Sequence, residues 1–149
     1  MTRGNAVVAI SAPGSLRPLH PLHAILLAFP PPLFVGALLS DIAYMRSFQI
    51  QWANFSAWLI AGGLLVGGFA LLWALVEVFR SGAARRKRAL TYFLLLLAMW
   101  VLGFVNALVH AKDAYATMPE ALYLSAVAAV LALAAAWIGY SGTRSGDVA

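Results

Sequence analysis

The apolar residues of the chain fall into four unbroken blocks, Leu22 to Tyr44, Ala57 to Phe79, Ala89 to Val109 and Ala121 to Tyr140, with the polar residues collected in the gaps between them. Each block is about 20 residues long, the length an α-helix needs to cross a hydrocarbon core of ~30 Å. The blocks lack the alternation of polar and apolar positions that a membrane-barrel strand carries, so they predict helices. Two of the gaps, Met45 to Ser56 and His110 to Glu120, are short, which predicts consecutive helices packed antiparallel as neighbours. The expected fold is all-α: an integral membrane four-helix bundle over residues 20–140. A short segment, residues 1–19, precedes it, and a small, polar, flexible tail, residues 141–149, follows.

Composition strengthens this picture. The 149 residues are 63% apolar and 10% charged, against roughly half and a quarter in a soluble domain. Residues 1–15 contain one arginine and an apolar patch of only Ala6 to Ile10, too short for a signal-peptide core. Cysteine is absent, which excludes disulfides, thiolate metal sites and c-type haem attachment within the chain.

The charge balance of +5 acquires a meaning from where the charges lie. Five of the ten Lys and Arg residues sit at positions 80–88, between the second and third blocks, and in a membrane chain such a cluster stays in the cytoplasm. Arg3, Arg17 and Arg144 then fall on the same side, and Arg46 and Lys112 on the other. Both termini are expected to be cytoplasmic. The cluster is accounted for by topology and by attraction to anionic headgroups, so the expected partner is the lipid bilayer and not nucleic acid. Trp52 and Trp58 at one level, and Trp137 and Tyr140 at the other, fit interfacial aromatic belts.

Between helices in lipid there is little hydrophobic drive, and close packing of small residues supplies much of the association. Gly63, Gly67, Ala70 and Ala74 recur at steps of four and three, as do Ser125, Ala129, Ala132, Ala136 and Gly139. Both stripes are expected to face the bundle interior, although the Gly63 to Gly67 motif also suits a homodimer.

Ionisable groups cost roughly 2.5 to 3.5 kcal/mol at the centre of a span, and here they gather near the two ends. Arg17, His20, His23, Glu77 and Arg80 fall near the inner surface. Asp41, Tyr44, Arg46, Asn106, His110, Lys112 and Asp113 fall near the outer one. Asp41 follows His23 by eighteen residues, five helical turns, so the two share a face. Gly103, Asn106, His110 and Asp113 form one stripe on the third helix. Asp41, Asn106, His110 and Asp113 are therefore candidates for an outer binding pocket, the alternative being helix-end residues that snorkel to water. His20, His23 and Glu77 are candidate ligands for a transition metal, or equally for a proton-exchange site. The prolines at 30 to 32 remove backbone donors inside the first helix, and such a break is tolerated only where protein or a wet cavity covers it.

A haem b clamped by two histidines of one chain does not fit this topology, because His23 and His110 lie at opposite membrane surfaces. Haem shared across a dimer or held by one histidine stays open.

The stretch PLHPLHAILLAFP at 18–30, with VGALLSDIAY at 35–44, resembles the opening signature of a bacterial membrane-protein family known as domain of unknown function 2231. WANFSAWLIAGG at 52–63, FVNALVHAKDAY at 104–115 and WIG at 137–139 extend the resemblance over most of the chain. Ala24, Ala28 and Pro31 depart from the family pattern. The resemblance implies a four-helix bundle in the inner membrane of a bacterium, and it places His20, His23, Asp41, Glu77, Asn106, His110 and Asp113 on motif positions. Relatives found beside periplasmic dehydrogenase or cytochrome components imply a respiratory association. The leading functional expectation is thus a non-enzymatic accessory or anchoring subunit of a membrane or periplasmic oxidoreductase, one that binds quinone or haem. The alternative is a small transporter or a metal- or proton-handling protein. An enzyme ranks last, since no activated nucleophile or catalytic set is visible.

Overall fold

The computed structural model describes residues 20–112 and 116–141. Arg3, Arg17, Asp113, Arg144 and the rest of the leader and tail lie outside the described residues. The regular structure is helical: α1 (Pro21–Ala28), α2 (Pro30–Ser47), α3 (Ile50–Arg80), α4 (Ala83–His110) and α5 (Glu120–Ser141). With α1 and α2 forming one span, the described residues contain four helices long and apolar enough to cross a membrane.

The helices outrun the apolar blocks that predict them. α3 begins at Ile50 and α4 at Ala83, so the links before them shrink to residues 48–49 and 81–82. The basic cluster is accordingly not a loop: Arg85, Arg86, Lys87 and Arg88 form the opening turns of α4. Apolar blocks mark only the stretch that meets hydrocarbon, whereas Ala, Arg and Lys are strong helix formers that carry the helix on into water. The turn after α2 is closed by Phe48 in the left-handed conformation at φ 54°, its N–H donating to the Tyr44 carbonyl at 2.7 Å. That role usually falls to glycine.

The first span breaks at Phe29, where the proline run begins. Prolines 30 to 32 cannot donate to the carbonyls of Leu26, Leu27 and Ala28, and helical bonding resumes with Leu33 N–H to the Phe29 carbonyl at 3.3 Å. Pro30 is fully buried and lies against Gly67 of α3. The break therefore faces the bundle, and the proline ring fills the bend.

α2 and α4 each pack against both α3 and α5, so α2 faces α4 across the diagonal of a square bundle. Leu27, Phe34, Ile60, Leu96 and Met99 fill its middle. The small-residue stripes make this closeness feasible. Gly63, Gly67, Ala70 and Ala74 are all buried on α3, as are Ser125, Ala129 and Ala132 on α5. The Gly63 to Gly67 motif is thus spent on contacts within the chain. Phe34 lies over both Gly63 and Gly103.

Polar ties join the helices where packing alone would let them slide. Trp100 Nε1 donates to the Leu64 carbonyl at 3.1 Å, linking α4 to α3. Tyr140 hydroxyl donates to the Ala24 carbonyl at 2.7 Å, linking α5 to α1. Arg88 donates to the Ile138 carbonyl at 2.8 Å and to Ser141 Oγ at 3.0 Å, placing a cation on the last turn of α5. The partial negative charge of a helix C-terminus favours that placement.

Candidate functional site

Asp41 stands on the α2 face that points into the bundle, three residues before the buried Tyr44, and it is 0% exposed. His110 Nε2 lies 2.9 Å from Asp41 Oδ1, and the two side chains are only 2% and 0% exposed. Ser125 Oγ donates to Asp41 Oδ2 at 2.5 Å, and Asn106 Nδ2 donates to Ser125 Oγ at 2.7 Å. His110 Nδ1 is 3.0 Å from the Asn106 carbonyl one turn earlier on α4. Three helices thereby contribute to one closed network. The helix-end alternative, with side chains snorkelling to water, does not hold for Asp41, Asn106 and His110. They touch one another and do not line an opening.

The hydrogen bonds constrain where the protons are. A carbonyl oxygen only accepts, so His110 Nδ1 carries a proton. Nε2 then either donates to an ionised Asp41 or accepts from a protonated one. The pair holds one shared proton and has zero net charge in both forms. That neutrality permits burial, because an unpaired charge at this depth would be expelled or neutralised. Asn106 Oδ1, fully buried, has no hydrogen-bond partner among the described residues.

A second polar cluster occupies the other end of the bundle. His23 is 1% exposed, and its Nε2 lies 3.0 Å from the Tyr92 hydroxyl on α4. Trp73 of α3 stacks on His23, with ring centroids 5.5 Å apart, and meets His20 at 5.0 Å. His20 is exposed where it caps α1 ahead of Pro21, a position where proline suits the first turn. His23 Nδ1 is buried without a hydrogen-bond partner among the described residues.

The sequence-derived candidates therefore separate. Asp41, Asn106 and His110 converge, and Asp113 lies outside the described residues. His20 and His23 converge on Trp73, while Glu77 is exposed. Among the described residues no three His, Asp or Glu side chains group so as to hold a metal ion, so His20, His23 and Glu77 do not form a ligand set. Tyr92 and His110 are eighteen residues apart on α4, about 27 Å at 1.5 Å per residue, which keeps their histidine-bearing clusters too far apart to share one haem. Arg46 is exposed, and Lys112 makes a surface pair with Glu120 at 3.8 Å.

Three participants escape sequence reasoning. Ser125 reads as a small packing residue, and Tyr92 and Trp73 read as ordinary span aromatics. The one available signal is that Ser125 is a hydroxyl in a helix face of alanines.

No curated protein and no solved structure shows significant similarity to the chain. The family model described as "Predicted membrane protein (DUF2231)" matches residues 19–148, a stretch that contains both clusters and all four spans, and the chain belongs to that family.

Proposed function

We propose that the chain is a non-enzymatic multi-pass membrane protein that holds and exchanges a proton at the Asp41–His110 pair. The observation that carries this reading is the 2.9 Å contact between a carboxyl and an imidazole, both excluded from solvent. As a mere fastener such a pair is a poor choice, since a buried ion pair is often no more stabilising than apolar groups of the same volume. As a proton holder it is well suited: the proton moves between Asp41 Oδ1 and His110 Nε2 without changing the net charge. Asn106 and Ser125 fix both acceptors. The distribution of Lys and Arg supports an orientation with both termini cytoplasmic and the pair near the outer face of a bacterial inner membrane.

Infrared difference spectroscopy on the reconstituted protein between about pH 4 and pH 10 tests this. A carboxyl band that vanishes in Asp41→Asn and an imidazole band that vanishes in His110→Gln are expected. A folded protein that shows neither band across the range would overturn the reading.

A further inference from the structure

The His23 cluster carries a separate inference. Tyr92 hydroxyl and His23 Nε2 form one hydrogen bond at 3.0 Å, and neither atom has another among the described residues. If Nε2 were the donor, the phenolic proton and the Nδ1 lone pair would both be left over. If Tyr92 donates, only one group is left: an N–H at Nδ1. The second arrangement wastes least, so His23 presents a buried donor that calls for an acceptor.

The surroundings restrict what that acceptor is. Trp73 offers an aromatic face, covered by the buried His23 at one place and by the exposed His20 at another. Leu22 and Ile25, flanking His23 on α1, are exposed apolar side chains. A ligand that fits needs a flat ring to replace His20 on Trp73, a carbonyl oxygen at the ring edge for Nδ1–H, and an apolar tail.

We propose that His23, Trp73 and His20 form a seat for the headgroup of a membrane-borne quinone, with His23 Nδ1–H donating to one quinone carbonyl. Tyr92 is a positioning residue that fixes the tautomer, and His20 is the rim that swings aside. An ester carbonyl of a phospholipid would meet the donor but leave Trp73 unused.

The chain has three histidines, so nitrogen NMR of the histidine-labelled full-length protein in nanodiscs resolves the question. Decylubiquinone is titrated in, and the His23 Nδ1 resonance should shift to saturation while the His110 signals stay in place. In a variant with Trp52, Trp58, Trp100 and Trp137 changed to Phe, the quinone should quench the remaining Trp73. His23→Phe should weaken binding about tenfold. Tyr92→Phe should weaken it severalfold, and His20→Ala should leave it equal or tighter. A His23 resonance that ignores quinone, or that moves equally when only nanodisc phospholipid is varied, would overturn the proposal. The Asp41–His110 pair lies at the other end of the bundle, so either result leaves the proton reading standing or falling on its own test.

Discussion

Asp41 meets His110 across the same 69 positions of sequence that separate His23 from Tyr92. The first span and α4 therefore run parallel with no slip over five helical turns, even though the first span breaks at Phe29. Each contact crosses the diagonal of the bundle, one near either end, and the apolar side chains of Leu27, Phe34, Leu96 and Met99 fill the length between them. The two clusters are polar pins on one apolar shaft. Among the described residues, no chain of side-chain donors and acceptors leads from one to the other.

Breaking one pin separates stability from chemistry. Asp41→Leu leaves the Nε2 of His110 and the hydroxyl of Ser125 buried without their partner, and should destabilise the fold by about 3 to 5 kcal/mol. Ser125→Ala removes two interhelical bonds, the one donated to Asp41 and the one accepted from Asn106, and should cost about 1 to 3 kcal/mol. The double variant Asp41→Leu/His110→Leu removes both partners together and should recover to within about 1 kcal/mol of the parent. Unfolding in mixed micelles measures all three. The double variant should be folded yet lack the carboxyl and imidazole infrared bands of the parent, which makes it the blank against which those bands are assigned to the pair.

Phe34 predicts the behaviour of a glycine. A Cβ at Gly103 would stand 2.9 Å and 3.0 Å from two carbons of the Phe34 ring and 3.1 Å from Leu64 Cδ2. Alanine gains about 1 kcal/mol of helix propensity over glycine, but overpacking of a filled core costs about 1 to 3 kcal/mol. The ring is held on its other side by α3 and cannot retreat, so Gly103→Ala should be destabilising. Gly82→Ala, where a Cβ would meet nothing within 4 Å, should change the melting temperature hardly at all.

The sequence made some of this plain because membrane helices announce themselves by length and hydropathy. It placed Asp41 and His110 at matching depth because helical spacing converts residue number into height. It could not pair His23 with Tyr92, since that contact depends on which helices face each other across the bundle, and spacing within a helix says nothing of that. Helix ends escape apolar runs for a related reason: over residues 50–56 and 83–88 the apolar run is absent but the helix is not. Ser125 was hidden by its size, which suits a packing stripe as well as a hydrogen bond.

Arg88 offers a local check. It sits in the opening turns of α4, an end that disfavours cations, yet it bonds the Ile138 carbonyl and Ser141 Oγ at the end of α5. Arg88→Ala should free the last turn of α5, with amide exchange there faster by about three- to tenfold. Arg86→Ala, which removes an exposed charge of the same cluster, should leave α5 exchange unchanged.

Orientation is settled most directly by labelling, and the absence of cysteine makes the experiment clean. Gln49 is exposed in the link after α2, and Gly82 is exposed in the link before α4. Cysteine placed at either should disturb little, and at Gly82 it meets open space. With both termini cytoplasmic, Gln49→Cys should react with a membrane-impermeant maleimide on intact bacterial cells. Gly82→Cys should react only after permeabilisation. The driving bias is eight Lys and Arg against two, and changing Arg85, Arg86 and Lys87 to glutamine lowers it to five against two. That weaker bias should still favour the same orientation but leave a minority inverted, visible as partial Gly82→Cys labelling in intact cells. Full labelling of Gly82→Cys in the otherwise unaltered chain would reverse the assignment and move the Asp41–His110 pair to the cytoplasmic side.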